Sequence, residues 1–247
     1  MFSKVFSFLN LNFANPAAVK KDGGNSGVLP PLRFKYMTKE QKNKKLRETF
    51  SNIPRFETRR LVLRRIDSGD CEDMFEYSSD SDVTRFLTWV PHKNTDETRE
   101  YIDDVGKKYA TGQFFDWGLV YKFDGKFIGT CGLTSVNLNR NTCEVGYVLS
   151  KRYWGRGLMT EALEQVMDFA FDYFGFDKIE ARFLDGNISS KKVMLKTGMT
   201  FEKTERNSMH IKGEYKTVHT YSIARGVFEK RRESLGRMAL INRANSW

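Results

Sequence analysis

Glu144-Val-Gly-Tyr-Val-Leu-Ser-Lys-Arg-Tyr-Trp-Gly-Arg-Gly-Leu-Met-Thr-Glu-Ala-Leu163 reads as a strand, a glycine-bearing turn and the start of a long amphipathic helix. That order gathers backbone N–H groups of the turn and of the first helical turn around one spot. A helix N-terminus adds partial positive charge there. Together they make an anion site suited to a pyrophosphate. Arg152, Gly155 and Gly157 form Arg-x-x-Gly-x-Gly, and glycine lets backbone approach a ligand closely. The alternative is an ordinary strand-to-helix turn that needs flexible residues. Two other phosphate motifs are missing: Gly-x-x-x-x-Gly-Lys-Ser/Thr is not found, nor is Gly-x-Gly-x-x-Gly in this turn. A nucleoside triphosphatase and a Rossmann dinucleotide site are therefore disfavoured.

Downstream, Asn187-Ile-Ser-Ser190-Lys-Lys-Val-Met-Leu195-Lys-Thr-Gly198-Met199-Thr-Phe201 marks both ends of a short helix. Asn187 or Ser189 can cap its start, and Gly198 can supply the left-handed residue that stops it. The two segments in this order and spacing are far more specific than either alone.

On these residues the chain resembles the GNAT N-acetyltransferases, and within them the RimJ/RimL-like branch, over roughly residues 56 to 227. Phe56-Glu-Thr-Arg-Arg-Leu-Val-Leu-Arg64-Arg-Ile is similar to the branch's first strand. Arg152-x-x-Gly155-x-Gly157 matches its acetyl-CoA pyrophosphate turn, and Asn187-x-x-Ser190 with Leu195-Lys-Thr-Gly198-Met199 its cofactor-side helix. Met199 stands where the family usually has Phe, which keeps an apolar side chain. The resemblance implies an α/β (α+β) fold with a mixed, mostly antiparallel sheet flanked by helices and a splayed central strand. It also implies acetyl-CoA as co-substrate.

Acetyl transfer from a thioester to an amine requires a neutral amine, a stabilised oxyanion and an accommodated thiolate. An amine protonated at neutral pH needs a base, and the oxyanion needs a positioned N–H donor. By resemblance, the donor is the amide near Val148, in a strand whose backbone is freed by the splay. Glu144, at the start of that strand, is the favoured base, because apolar neighbours can raise a carboxylate's pKa. A cross-strand ion pair is its structural alternative. Asp116 and Glu161 are weaker candidates; helix-dipole stabilisation alone accounts for Glu161. Ser190 is favoured to protonate the thiolate, and the absence of tyrosine from the segment just after Asn187 supports it. Asn187 is expected on the pantetheine amides, with Arg152, Arg156 and the Gly157-Leu158 helix start on the phosphates. Trp89, Pro91 and His92 are expected on the acceptor side, with Phe115, Trp117 and Tyr147 as packing or cleft wall. Arg60 and Arg64 are assigned to structure.

The 247 residues suggest one sizeable domain with extensions, large enough for a core without disulfide or metal. Cys71, Cys131 and Cys143, and His92, His210 and His219, show no zinc spacing or disulfide framework, so no metal is expected. The cysteine use fits a reducing compartment. Of the net charge of +10, residues 1–55 carry +8 and 225–247 carry +4, while 56–224 carry −2. A near-neutral catalytic core thus has basic tails, which are either solvated extensions or contacts to RNA or the ribosome. No run reaches the roughly 20 apolar residues of a membrane span. Met1 to Val19 is mildly apolar but broken by asparagines and Pro16, unlike a signal peptide. A cytoplasmic protein is expected.

Three units follow: a basic extension over 1–55 with a helix over 38–50 capped by Thr38, an acetyltransferase domain over 56–227, and a basic tail over 228–247 with a helix over 228–237. Helices are expected over 67–79, 96–110 (capped by Thr95), 158–174 and 189–197. Strands are expected over 114–123 and 126–136 around the hairpin signal Asp124-Gly125, then over 143–149, 178–184, 201–211 and 215–224. Three functions fit: acetylation of a protein N-terminus, ribosomal proteins in particular; acetylation of a small cationic amine such as a polyamine or aminoglycoside; or a non-catalytic acetyl-CoA-binding module with an RNA-binding tail. A homodimer is one further possibility, with a contact through 228–247 left open.

Overall fold

The computed structural model describes residues 37–244, with side chains described to residue 236. The extension expected over residues 1–37 lies outside the described residues up to residue 36.

Eight strands form one sheet: β1 (Phe56–Glu57), β2 (Leu61–Arg64), β3 (Asp116–Tyr121), β4 (Phe127–Asn137), β5 (Thr142–Leu149), β6 (Lys178–Leu184), β7 (Thr200–Ile211) and β8 (Glu214–Ala224). The order is β1-β2-β3-β4-β5-β6-β8-β7. Every pair is antiparallel except β5–β6. The expected first strand is instead a short hairpin. Thr58 and Arg60 are drawn to Glu161 of a helix behind the sheet, and the chain turns between β1 and β2.

One face carries α1 (Lys39–Ser51), α5 (Leu158–Asp168), α6 (Ile188–Lys196) and α7 (Arg225–Ala244). Their apolar sides bury Phe50, Leu163, Val166, Met194 and Phe228 with Trp117, Leu133 and Ile179 of the sheet. The other face carries α2 (Cys71–Ser78), the short α3 (Ser81–Thr84) and α4 (Thr95–Ala110). Met74, Tyr77, Ile102, Val105 and Tyr109 close it over Ile66 and Phe127.

The helix expected over 38–50 is α1. Thr38 caps it, accepting from the Gln41 N–H while the Gln41 side chain accepts from the Thr38 N–H. Its Phe50 is wholly buried, with ring centroids 4.6 Å from Phe115, 5.4 Å from Trp117 and 5.6 Å from Phe174. The basic segment therefore contributes to the core. Asn94, not Thr95, caps α4, accepting from Glu97 N–H at 3.0 Å. The 158–174 helix changes pitch, continuing past α5 as a π turn over Phe169–Tyr173. Among the described residues no helix is long and apolar enough to cross a membrane.

Candidate active site

β5 and β6 pair over only four residues, Thr142 to Val145 against Lys178 to Ala181. Beyond them β5 runs on to Leu149 and β6 to Leu184, and the two strands part. The register of the β4–β5 ladder fixes which amides face this gap. Ser150 N–H donates to Ile128 O at 2.7 Å, and Val148 lies opposite Thr130. Antiparallel alternation then directs the Val148 N–H to β4 and the amides of Tyr147 and Leu149 into the gap. The Trp154 indole N–H, which donates to Leu149 O at 2.7 Å, agrees with that orientation. Near Val148, where the oxyanion donor is expected, the amides open to the gap are therefore those of Tyr147 and Leu149, while the Val148 N–H belongs to the ladder.

The chain leaves β5 through a 3-10 turn, Lys151–Tyr153, and enters α5 through Gly155 and Gly157, both at φ +74°. Neither conformation suits a residue with a Cβ. Glu161 N–H donates to Gly157 O, closing the first helical turn. The six preceding amides, of residues 155–160, have no acceptor among the described residues. Leu158 is buried and anchors the helix start. Six open N–H groups on a helix N-terminus suit a polyanion.

The arginines of this turn divide. Arg152 donates to Glu76 of α2 at 2.5 Å, so the structure assigns it a latch between the turn and α2. Arg156 is exposed and stacks over the Tyr153 ring, with no carboxylate beside it among the described residues. Arg60 donates to Arg156 O at 2.9 Å and pairs with Glu161 at 2.7 Å. Glu161 also accepts from the Thr58 hydroxyl and Arg60 N–H, and these donors hold its pKa below the ordinary range despite partial burial. It is a structural carboxylate.

Asn187 caps α6 as expected, its Oδ1 accepting from Ser190 N–H at 3.1 Å. Its amide N–H₂ has no acceptor among the described residues and can serve a ligand. Ser190 Oγ lies 3.0 Å from Tyr147 Oη, and Tyr147 O–H donates to Ser190 O at 3.1 Å. A phenol therefore stands beside the serine, supplied by the parted strand rather than by the segment after Asn187. Burial pushes its pKa up, keeping it protonated and able to donate. Strand alternation was the available signal: if Val148 faces α2 and α4, Tyr147 faces α6.

On the opposite face, Glu144 accepts from Arg182 Nε at 2.9 Å, with its side chain 17% exposed. Asp116, at the start of β3, shares this face. It is half-buried, its carboxylate has no hydrogen-bond partner among the described residues, and burial raises its pKa to about 7. Trp89 and His92 come from the loop between α3 and α4, with ring centroids 5.4 Å apart. His92 Nδ1 lies 3.0 Å from Ser78 Oγ and 2.7 Å from Thr98 Oγ1, which fix the ring; burial lowers its pKa. Neither ring is bonded to Glu144. A β7–β8 contact helps close this side: Lys212 Nζ donates to Thr84 O at 2.7 Å, and Phe86 and Met209 pack on Leu184, Ile211 and Val218. An open groove lies elsewhere, between α1 and the π turn, and includes none of these residues. Among the described residues there is no cluster of His, Cys, Asp or Glu suited to a metal ion.

A parted parallel pair, an open helix N-terminus and an amide-capped helix stand together at one gap in the sheet, an arrangement suited to a coenzyme-A-type acyltransferase. The profile of the Acetyltransferase (GNAT) domain matches residues 60–200, and the chain belongs to that family of N-acetyltransferases. It is 27% identical over 166 residues to the uncharacterised N-acetyltransferase p20 of Bacillus licheniformis, covering 67% of this chain and 93% of that protein. It is 24% identical over 177 residues to the [ribosomal protein uS5]-alanine N-acetyltransferase of Escherichia coli, covering 67% and 89%. Its fold matches that of RimL, a ribosomal L7/L12 α-N-protein acetyltransferase solved with coenzyme A, at a TM-score of 0.60 and 16% identity, covering 69% and 98%.

Proposed function

We propose that this chain moves the acetyl group of acetyl-CoA to the α-amine of a protein N-terminus. The observation that carries the reading is the run of acceptor-free amides at residues 155–160 beside the β5–β6 gap. The turn suits the pyrophosphate, Arg156 adds charge, and Asn187 N–H₂ suits the pantetheine amides. The names of the uS5-alanine and L7/L12 enzymes support a protein acceptor.

In this reading the acceptor enters from the α2–α4 side, past Trp89 and His92. Its ammonium loses a proton to a carboxylate on that face, Glu144 or Asp116. The amine nitrogen attacks the thioester carbonyl, whose oxygen takes the Tyr147 amide hydrogen bond. As the C–S bond breaks, the hydroxyl pair of Ser190 and Tyr147 supplies a proton to sulfur. Asn187 and Ser190 hold one end of this line because one is the cap of the helix that carries the other.

The test is a thiol-release assay with acetyl-CoA and three acceptor sets, followed by intact-mass analysis. Peptides with ribosomal-protein N-termini are expected to turn over best. Preferential turnover of polyamines or aminoglycosides would replace the protein acceptor with a small cation. Acetyl-CoA binding without turnover, joined to salt-sensitive RNA binding, would leave a binding module.

A further inference from the structure

We propose that Asp116 is the residue that takes the proton from the acceptor ammonium, while Glu144 serves to hold Arg182 at the end of the gap. The inference rests on the acetyl-transfer reading and assigns the base within it.

Its first support is position. Asp116 lies opposite Gly132 of β4, and Gly132 lies opposite Gly146 of β5, so the three form one row across the sheet. Gly146 is the first residue past the last β5–β6 pair. A Cβ on Gly132 would meet Asp116 Oδ1 at 2.3 Å. The carboxylate thus leans over Gly132 in the direction of the gap, occupying space that any other residue there would fill. Strand spacing of about 4.8 Å puts Gly146 one strand beyond. Thr134, at the β4 bulge, forms the side of this path, with its methyl over Gly146.

The second support is the contrast in partners. Glu144 is engaged by a guanidinium, and Asp70 and Glu161 are likewise engaged by Arg64 and Arg60. The Asp116 carboxylate has neither hydrogen bond nor ion pair among the described residues, although its backbone carbonyl accepts from the Tyr109 hydroxyl at 2.6 Å. The groups that sense its charge are Tyr77 of α2, Tyr101 and Tyr109 of α4, and Cys131 of β4. All are neutral near pH 7, and none is a cation that would keep the carboxylate ionised. Tyr101 also connects it to the acceptor loop, its ring centroid lying 6.3 Å from that of His92. Raised to about 7 by burial, Asp116 can exchange a proton near neutrality, which a base in this reaction requires.

The step balances without any further reactant. The ammonium N–H bond breaks and its proton goes to Asp116. The nitrogen lone pair forms the C–N bond, and the C–S bond breaks with its electrons on sulfur. That sulfur takes a proton from the Ser190–Tyr147 pair. As the adduct collapses, its nitrogen loses a second proton to solvent, which offsets the one that the hydroxyl pair gave to sulfur and regains from solvent, and Asp116 releases the first proton after product leaves.

The experiment measures kcat against pH at saturating acceptor, for the parent, Asp116→Asn and Glu144→Gln, with acetyl-CoA affinity measured on each by calorimetry. Saturation removes the titration of the free acceptor from the profile. The parent is expected to lose activity on the acid side of about pH 7. Asp116→Asn is expected to lower kcat about 10²-fold or more, to abolish that limb, and to bind acetyl-CoA as the parent does. Glu144→Gln is expected to keep the limb. A limb retained in Asp116→Asn, or erased in Glu144→Gln, overturns the assignment. The Glu144→Gln arm decides the matter alone if Asp116→Asn does not fold. A parent that binds no acetyl-CoA would instead overturn the transferase reading, which keeps the two failures distinct.

Discussion

The two sides of the cleft are built from different material. On the proposed coenzyme side, the candidate groups are backbone amides of one short segment, 155–160, and the side chain that caps the next helix, Asn187. On the proposed acceptor side the candidates are side chains from three separate places: Asp116 on β3, Glu144 on β5, and Trp89 and His92 on the loop between α3 and α4. Backbone hydrogen bonding obeys local rules, so a glycine-rich turn before a helix specifies its geometry almost alone. Side chains that meet across a sheet depend on register and burial, which arise only when the whole domain packs.

The largest effect should therefore come from the coenzyme side. Replacing Gly155 and Gly157 together by Trp forces two side chains onto backbone at φ +74° and into the space before six open amides. Calorimetry should show acetyl-CoA affinity reduced about 10³-fold or more, since strain and lost amide contacts act together. Affinity within tenfold of the parent would move the pyrophosphate away from this turn.

That comparison also explains how much could be read from the sequence. The glycine turn, the Asn187 cap, the Asp124-Gly125 hairpin and the 3.6-residue period of α5 are local signals, and all appear close to where they were expected. The GNAT family and its mixed sheet were legible for the same reason. Which amide near Val148 opens to the gap is not legible locally, because an N–H direction depends on which of two alternate pairs is hydrogen-bonded, and Ser150 decides that only in the folded ladder. Arg152 looked like a phosphate ligand because Glu76, its partner, lies 76 positions away in sequence. Tyr147 reads only as packing or cleft wall because nothing in its own segment tells that Ser190 comes to within 3.0 Å.

An intermediate effect should come from the pair that joins the two sides. Ser190→Ala and Tyr147→Phe each remove one hydroxyl from the same hydrogen bond. Each is expected to lower kcat about 10- to 10²-fold with little change in acetyl-CoA affinity. The double variant should be only slightly worse than the poorer single one, because groups that share one interaction do not add. Full additivity in single-turnover rates would mean that the two hydroxyls act at different steps.

The smallest effect falls on stability and needs no substrate. A carboxylate in an unfolded chain titrates near 3.9, while Asp116 in the folded chain is raised to about 7. Between those values the folded protein holds a proton that the unfolded chain has released, so rising pH disfavours folding. The penalty is absent below the lower value and complete above the upper one. Asparagine carries no such charge. Asp116→Asn should therefore melt higher than the parent at pH 8, with the advantage shrinking toward pH 5. With solvent screening of a half-buried group allowed for, the gain is about 1–2 kcal/mol, or roughly 2–8 °C in Tm for a domain of this size. A parent that equals or exceeds the variant at pH 8 would mean that its carboxylate gains a stabilising partner in the folded chain. A stabilising loss would show that this position carries a destabilising charge for what it does in the cleft, since a carboxylate selected for folding alone would have acquired a cation beside it.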